Sequence, residues 1–406
     1  MKDAYIVAAV RAAGGKRGGR LKSWHPVDLA GSIIDALLDR LSVDPEMIDD
    51  VILGCVGQAG EQSTNIGRNA VLASRLPERV PGVSVDRQCG SSQQALHFAA
   101  QAVLSGMMDV VIAGGVESMS RAPMGLTQTL ARDAGLGVYK SPRMEARYPD
   151  IVFNQFDGAE TIARNFGFTR EDMDRFGFES QRKAAAASAS KRFDTEILPL
   201  TIVQDDGSTD IHRIDEGIRS GATLESTRAV RLVREGGLLT AATSSQICDG
   251  ASGVLVCNDR GLKTLGVAPM ARIHHLSVRG GNPVTMLDAP LEATRVALQR
   301  SGMSMDNIDL YEVNEAFASV PMAWLKSLHA DPERLNVNGG AIALGHPLGA
   351  SGTRLLTTLV YELRARGGRY GLQTMCEGGG LANVTIVENL ETVAEGGHVD
   401  VNPMST

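Results

Sequence analysis

An α/β fold built from two similar βαβ halves is what this 406-residue chain predicts, and three observations carry the reading. Apolar runs of strand length alternate with longer stretches of helical period. One order of elements occurs twice, at the start of the chain and again after residue 270. The 45 glycines and an aromatic content of only 4% suit an α/β protein rich in small residues.

The elements follow in order. A first strand covers residues 4–10, and Pro26 leads a helix whose Leu29, Ile33, Ile34, Leu37, Leu38 and Leu41 share one face. A turn at Ser42-Val43-Asp44 leads to a second strand at 48–53. The later copy begins with a strand at Ala271-Arg272-Ile273-His274, and Pro290 leads its helix. Ser301-Gly302-Met303 is the matching turn, before a strand at 308–311. The likeness continues beyond these units. Cys89 stands between an apolar run (83–85) and a helix (91–104), followed by a strand (109–113) ending in Gly114-Gly115. His346 likewise precedes a helix (351–366) and a strand (370–375) ending in Cys376 and three glycines. Such alternation predicts mainly parallel sheets covered by helices, with ligands at the carboxyl ends of strands. The halves are expected over 1–117, completed by about 251–269, and over 270–406, with an insertion over 118–250.

The insertion is polar. It holds an alanine-rich helix (170–192) bearing Arg182, Lys183, Lys191 and Arg192, a turn-rich stretch (205–215), and then Arg219, Arg228, Arg231 and Arg234. Each basic residue alone reads as part of a solvated face. As a group they mark the place for a ligand bearing acidic phosphates.

Composition excludes several classes. A net charge of −7 argues against a nucleic-acid partner. Five cysteines without CxxC spacing predict neither a disulfide framework nor a metal site, so a reducing cytoplasm is the expected location. No apolar run approaches the roughly 20 residues needed to cross a bilayer, so no membrane partner is expected. The opening strand leaves no room for a signal peptide, and Pro403-Met404-Ser405-Thr406 matches no retention or peroxisomal signal. The tail from about Thr392 is Gly-rich, polar and expected to be loosely held.

Three segments carry chemistry. In Val-Asp-Arg-Gln-Cys89-Gly-Ser-Ser, a helix start offers N–H groups and the positive end of a dipole, both of which favour the nucleophilic thiolate. Taken singly, a cysteine is more often inert packing. His346 follows glycines 339, 340 and 345 and precedes 349 and 352, a density that lets backbone approach a ligand closely. Held by Pro347, it is placed to take a proton from a thiol. Cys376 opens Glu377-Gly378-Gly379-Gly380, whose free backbone N–H groups suit an oxyanion, and a second thiol suits proton transfer at carbon. Asn314 and Glu315 follow an apolar strand and fit equally a helix cap or a site that orients water.

Together these motifs resemble those of the thiolases over nearly the whole chain. The run Asn338-Gly-Gly-Ala-Ile-Ala-Leu-Gly-His346-Pro-Leu-Gly-Ala-Ser-Gly352 matches the family signature, and Asn314-Glu315-Ala316-Phe317 and Cys376-Glu377-Gly378-Gly379-Gly380 match two further loops. The resemblance implies a layered α/β/α/β/α core and CoA-dependent cleavage of 3-ketoacyl-CoA to acetyl-CoA and a shortened acyl-CoA. It casts Cys89 as the acyl-bearing nucleophile, His346 as its base and Cys376 as the group that moves the α-proton. Asn314 would hold a water that lines one oxyanion pocket with His346, and the N–H groups of Cys89 and Gly378 would form the other. Thr240-Ala-Ala-Thr-Ser-Ser245 is similar to the pantetheine loop, with Ser245 and Phe317 as CoA contacts and Arg231 at the nucleotide end. Coenzyme A is implied as co-substrate, with no permanent cofactor or metal, and a homodimer or homotetramer as the assembly.

The chain departs from the family around Cys89 (Asp86-Arg87-Gln88, Ser91-Ser92), after the glycines (Leu381-Ala382-Asn383) and at 153–160. These changes bear on acyl specificity. Asn154-Gln155-Phe156 and Ser244-Ser245-Gln246-Ile247 are similar to actinobacterial thiolases of steroid degradation. The alternatives are a biosynthetic acetoacetyl-CoA thiolase and a catalytically silent acyl-CoA-binding protein on the same fold. A ketoacyl synthase would pair its cysteine with two histidines, where this chain has Cys376.

Overall fold

The structure, a computed structural model, describes residues 3–204 and 206–390. The tail expected to be loose, and the terminal tetrapeptide, lie outside the described residues.

The first half supplies strands β1 (Tyr5–Ala12), β2 (Asp50–Gly54), β3 (Gly82–Val85), β4 (Val110–Ser118) and β5 (Cys248–Cys257). The second supplies β6 (Ala271–Gly280), β7 (Leu310–Val313), β8 (Tyr370–Glu377) and β9 (Leu381–Asn389). They join in the order β7-β8-β9-β6-β1-β5-β4-β2-β3, with two-residue strands at Gly15–Lys16 and Ile197–Leu198 appended. Reading outward from the centre, β1-β5-β4-β2-β3 on one side mirrors β6-β9-β8-β7 on the other. An isolated parallel bridge, Tyr311 to Leu335, stands where the second half has no counterpart of β3. The equivalent strands β1 and β6 meet antiparallel at Tyr5↔Arg272 and Ile6↔Ala271, so the duplication has become a quasi-two-fold axis.

Strand directions correct the expectation of mainly parallel pairing. Only β2–β3, β2–β4 and β7–β8 are parallel among the long strands; β1–β5, β4–β5, β6–β9 and β8–β9 are antiparallel. For β8–β9 the reason is connection length. Only Gly378, Gly379 and Gly380 separate β8 from β9, far short of the dozen or so residues of a parallel crossover.

Helices form three layers around these sheets. α1 (Pro26–Leu41) and α2 (Ile66–Leu72) cover one outer face, burying Leu29, Ile33 and Leu37 against Val51, Ile112 and Leu255. α1 starts at Pro26 with the His25 side chain accepting from Val27 N–H, and it stops at Ser42, which turns left-handed at φ 51. α3 (Ser91–Ser105) lies in the centre, where its Leu96, Ala99 and Val103 meet side chains of a helix from the second half. Between β4 and β5 the chain touches the sheet only at Ile197–Leu198 among the described residues, and it includes α4 (Arg170–Ala189), opened by a Thr169–Asp172 capping box, and a hairpin of Leu200–Val203 with Thr209–His212. α5 (Ala289–Ser301) and α6 (Ser319–Leu328) cover the other outer face through Trp324, Leu372 and Ile386. α7 (Ser351–Arg366) is the central partner of α3, contributing Leu356, Leu359 and Leu363. The order is therefore α/β/α/β/α. Each buried Leu, Ile or Val contributes about 1.5–3 kcal/mol, so the core lies in these interlayer seams.

Candidate active site

The reactive residues lie where β3, β7 and β8 end. Cys89 follows β3 and directly precedes the N-cap of α3, and Gln88 before it adopts φ 50. Cys89 is partly exposed, and the backbone N–H groups of Gly378 and of Cys89 itself act on its sulfur. Those N–H groups favour the thiolate, as the sequence suggested. Burial outweighs them, however, and the Glu377 carboxylate adds to it, so the thiol is pushed up to about 12. The thiol is therefore neutral at rest, and its proton has to be taken by a base.

Cys376, in β8, is fully buried among Phe317, Ile342 and Met286. Burial raises its thiol well above the ordinary value, and the neighbouring Cys89 raises it further. Asn314 reaches the same region because Val313 pairs with Thr374 and the Asn314 N–H bonds Thr374 O at 3.1 Å. The buried Asn314 Oδ1 has no hydrogen-bond partner among the described residues and is able to accept from a water or ligand.

His346 is buried, with Nε2 3.3 Å from Asn314 Nδ2 and Nδ1 2.6 Å from Ser351 Oγ. Ser351 donates its own hydrogen to Pro347 O at 2.8 Å, so it accepts from His346 Nδ1–H. That network assigns the tautomer and leaves the Nε2 lone pair as the base. Burial, with the Arg354 guanidinium nearby, holds the imidazole down to about 3, so it is neutral at rest.

The loop carrying His346 is seated on protein at each of its glycines, not on open space for a ligand. A Cβ on Gly349 would lie 2.7 Å from Cys55 Cα, and one on Gly352 would lie 2.2 Å from Gln93 N, in the first turn of α3. Thr353 N–H donates to Ser92 Oγ at 3.0 Å across the same seam. Glu117 locks the loop. Its carboxylate accepts Gly349 N–H, Val56 N–H and Gly57 N–H, each at 2.9 Å, and Gln62 Nε2 at 2.8 Å. Sequence reasoning passed over Glu117 and Ser351; the only local signal was their closeness to Gly114-Gly115 and to His346. Glu315 proves a clamp, accepting from Ser180 Oγ at 2.6 Å, Asn336 Nδ2 at 2.8 Å and Ile342 N–H at 3.2 Å.

The insertion roofs this centre. Ser245 N–H bonds Ala316 O at 2.9 Å, which brings Ser245 beside Phe317; Phe317 in turn meets Phe156 edge-on at 5.2 Å. A cavity of about 370 Å³ opens next to that loop, lined by Gln181, Arg219, Ser226, Ala242 and Ile342 among others. Arg231 is exposed and does not line it, whereas Arg219 does. Most of the other basic side chains are engaged elsewhere: Arg182 with Glu179, Arg228 with Glu171, Arg234 with Asp157, and Lys183 with Leu335 O. Among the described residues, no helix is long and apolar enough to cross a membrane.

Comparison with known proteins agrees with the geometry. Residues 4–260 match the family profile "Thiolase, N-terminal domain", and residues 267–389 match "Thiolase, C-terminal domain". The chain is 51% identical over 395 residues to the steroid 3-ketoacyl-CoA thiolase FadA6 of Mycobacterium tuberculosis, covering 96% of this chain and 95% of that protein. It is 40% identical over 404 residues to a beta-ketoadipyl-CoA thiolase of Acinetobacter baylyi, covering 96% and 100%. Among solved structures, human mitochondrial 3-ketoacyl-CoA thiolase superposes with a TM-score of 0.86 at 32% identity, over 96% of this chain and 99% of that one.

Proposed function

The chain belongs to the thiolase family, and from that premise we propose how its own residues divide the CoA-dependent cleavage of a 3-ketoacyl-CoA. The reading rests on one observation: the N–H groups of Cys89 and Gly378 converge on the Cys89 sulfur, beside the second buried thiol of Cys376.

Cys89 Sγ attacks the 3-keto carbon, and its proton passes to His346 Nε2. The oxyanion formed on that carbon sits against the N–H groups of Cys89 and Gly378, donors already aimed before the charge develops. Collapse breaks the bond between the α and β carbons, leaving the shortened acyl group on Cys89 and the acetyl-CoA enolate. The protonated His346, with a water held by Asn314, stabilises that enolate oxygen while Cys376 gives its proton to the carbon. Free CoA then returns its thiol proton to Cys376 and attacks the thioester, and Cys89 departs as His346 gives its proton back. Two easier steps replace one hard one, with ping-pong kinetics as the fingerprint. Neutral partners at rest mean that charge separates only as the substrate supplies an oxyanion.

CoA is the co-substrate in this scheme, its pantetheine arm passing Ser245 and Phe317 and its nucleotide end near Arg219. We assign the acyl group to a bulky, steroid-derived class, supported by the name of the 51% identical relative and by Phe156 packed on Phe317. A homodimer or homotetramer in the cytoplasm completes the proposal. Mass spectrometry after mixing with acetoacetyl-CoA tests the mechanism: an acyl adduct on Cys89 is expected, and an adduct on any other residue refutes it. CoA-dependent cleavage over a ladder of 3-ketoacyl-CoA lengths, with one ring-bearing member, tests the substrate; faster turnover of short linear chains would remove the steroid assignment.

A further inference from the structure

Side chains alternate along β8, so Cys376 and Glu377 face opposite ways. Cys376 enters the apolar cluster beside Phe317, whereas Glu377 lies against the start of α3. A Cβ on Gly90 would stand 2.0 Å from Glu377 Oε1 and 2.6 Å from its Cδ, so only glycine leaves room for this carboxyl group. Glu377 is 0% exposed, and neither of its oxygens has a hydrogen-bond partner among the described residues. The mechanism above gives it no task.

Few groups face it. Cys89 does so from the turn before α3; Cys376, its neighbour on β8, points to the other face of the strand, yet the carboxylate disfavours the ionised form of both thiols. Among the described residues Arg87 is the one cation that acts on it, and the Asn383 N–H of β9 also favours its ionised form without making a hydrogen bond. A buried carboxylate so poorly partnered is costly unless it holds a proton.

We propose that Glu377 is a positioning residue acting through Cys89 and Cys376, neutral during turnover and inhibitory when ionised. The inference rests on the thiolase reading for the roles of the two thiols. Once Cys376 has given its proton to carbon it is an anion, and a second anion next to it in a dry site would oppose that step. An ionised Glu377 also makes Cys89 harder to deprotonate at the first step. Burial lifts the Glu377 carboxyl to about 8, with Arg87 pulling the other way, so it is mostly neutral at pH 7 and ionises just above.

Iodoacetamide labelling of Cys89 in the full-length protein, read by peptide mass spectrometry, follows the thiolate directly and needs no substrate. E377Q keeps the shape of the side chain and cannot ionise. The ratio of labelling rates, E377Q over wild type, is expected to be near one at about pH 6.5 and to reach about tenfold by about pH 9, the low end of what one adjacent charge does. E377D, still ionisable, should track the wild type. A ratio that stays flat with pH overturns the proposal. Should E377Q fail to fold, the wild type alone decides: its labelling rate must flatten between about pH 7 and pH 9, and an unbroken tenfold rise per unit refutes it. Wild-type thiolysis should also fall above about pH 8 while E377Q does not. Loss of thiolysis in both proteins with a pH-dependent labelling ratio would remove the proposed function and leave the link between Glu377 and Cys89 standing.

Discussion

Gly115→Ala tests how the base is positioned, because its effect follows from backbone geometry alone. Gly115 lies in β4, opposite Gly54 of β2 and Ser252 of β5. A Cβ there would stand 2.0 Å from Gly349 O, 2.8 Å from Gly349 C and 2.9 Å from Gly54 O. All three are backbone atoms, so no side chain can swing away. Restoring a tolerable carbon–oxygen contact needs a shift of about 1 Å, either in the strand or in the loop that carries His346. The strand is held on both edges, so the loop gives way. It sits three residues from His346 and loses its 2.9 Å bond from Gly349 N–H to Glu117 as it moves. A misplacement of about 1 Å costs about 10²-fold in rate, and overpacking of this kind costs about 1–3 kcal/mol of stability. The assay is kcat/KM for thiolysis of acetoacetyl-CoA together with the urea midpoint. Gly207→Ala is the control: at φ 83 with open space around it in an exposed hairpin, it should lose about 1 kcal/mol and no activity. A folded Gly115→Ala enzyme within about threefold of wild-type kcat/KM would refute the reasoning.

Other outcomes follow from the same site. Cys376→Ser should still pass the acetyl group of acetyl-CoA to Cys89 by thioester exchange, while carbon–carbon cleavage of acetoacetyl-CoA falls by about 10²–10⁴, since a hydroxyl is a far weaker acid than a thiol; equal loss of both reactions in rapid-quench mass spectrometry would contradict the division of roles. Acid should destabilise the fold through His346 and His97, both buried and held down to about 3. The unfolded chain protonates them from about pH 6.5 downward and the folded chain does not until about pH 3, so stability is intact above that window and lost as pH falls through it. Each unit costs about 1.4 kcal/mol per histidine, or about 5 kcal/mol for both at pH 4.5, and a urea midpoint indifferent to pH would deny it. Arg219→Ala should raise KM for CoA by about tenfold with kcat little changed, whereas Arg231→Ala should do neither; the reverse pattern would return the nucleotide end to Arg231.

Much was legible in the linear chain. The Pro-led helices at Pro26 and Pro290, the turns after them and the strand–helix junctions at Cys89 and His346 are local signals, and the structure forms each where the periodicity places it. The duplication showed which residues hold equivalent places. What failed to show was contact across it. Glu117 and Gly349 are 232 residues apart, and neither has a sequence feature that names the other. The exposed arginines looked equivalent as text, and only the cavity beside Ala242 separates Arg219 from Arg231.

Sequence alone determined the order of elements, their repetition and the identity of two thiols and one imidazole, because capping, period and residue chemistry act over a few neighbouring positions. Tertiary structure decided strand direction, the neutral state of both proton partners and the purpose of the glycines. Those depend on what is packed alongside: dehydration by distant segments overrides a helix terminus at Cys89, and backbone pressed on backbone, not on ligand, is what demands glycine at 115 and 349.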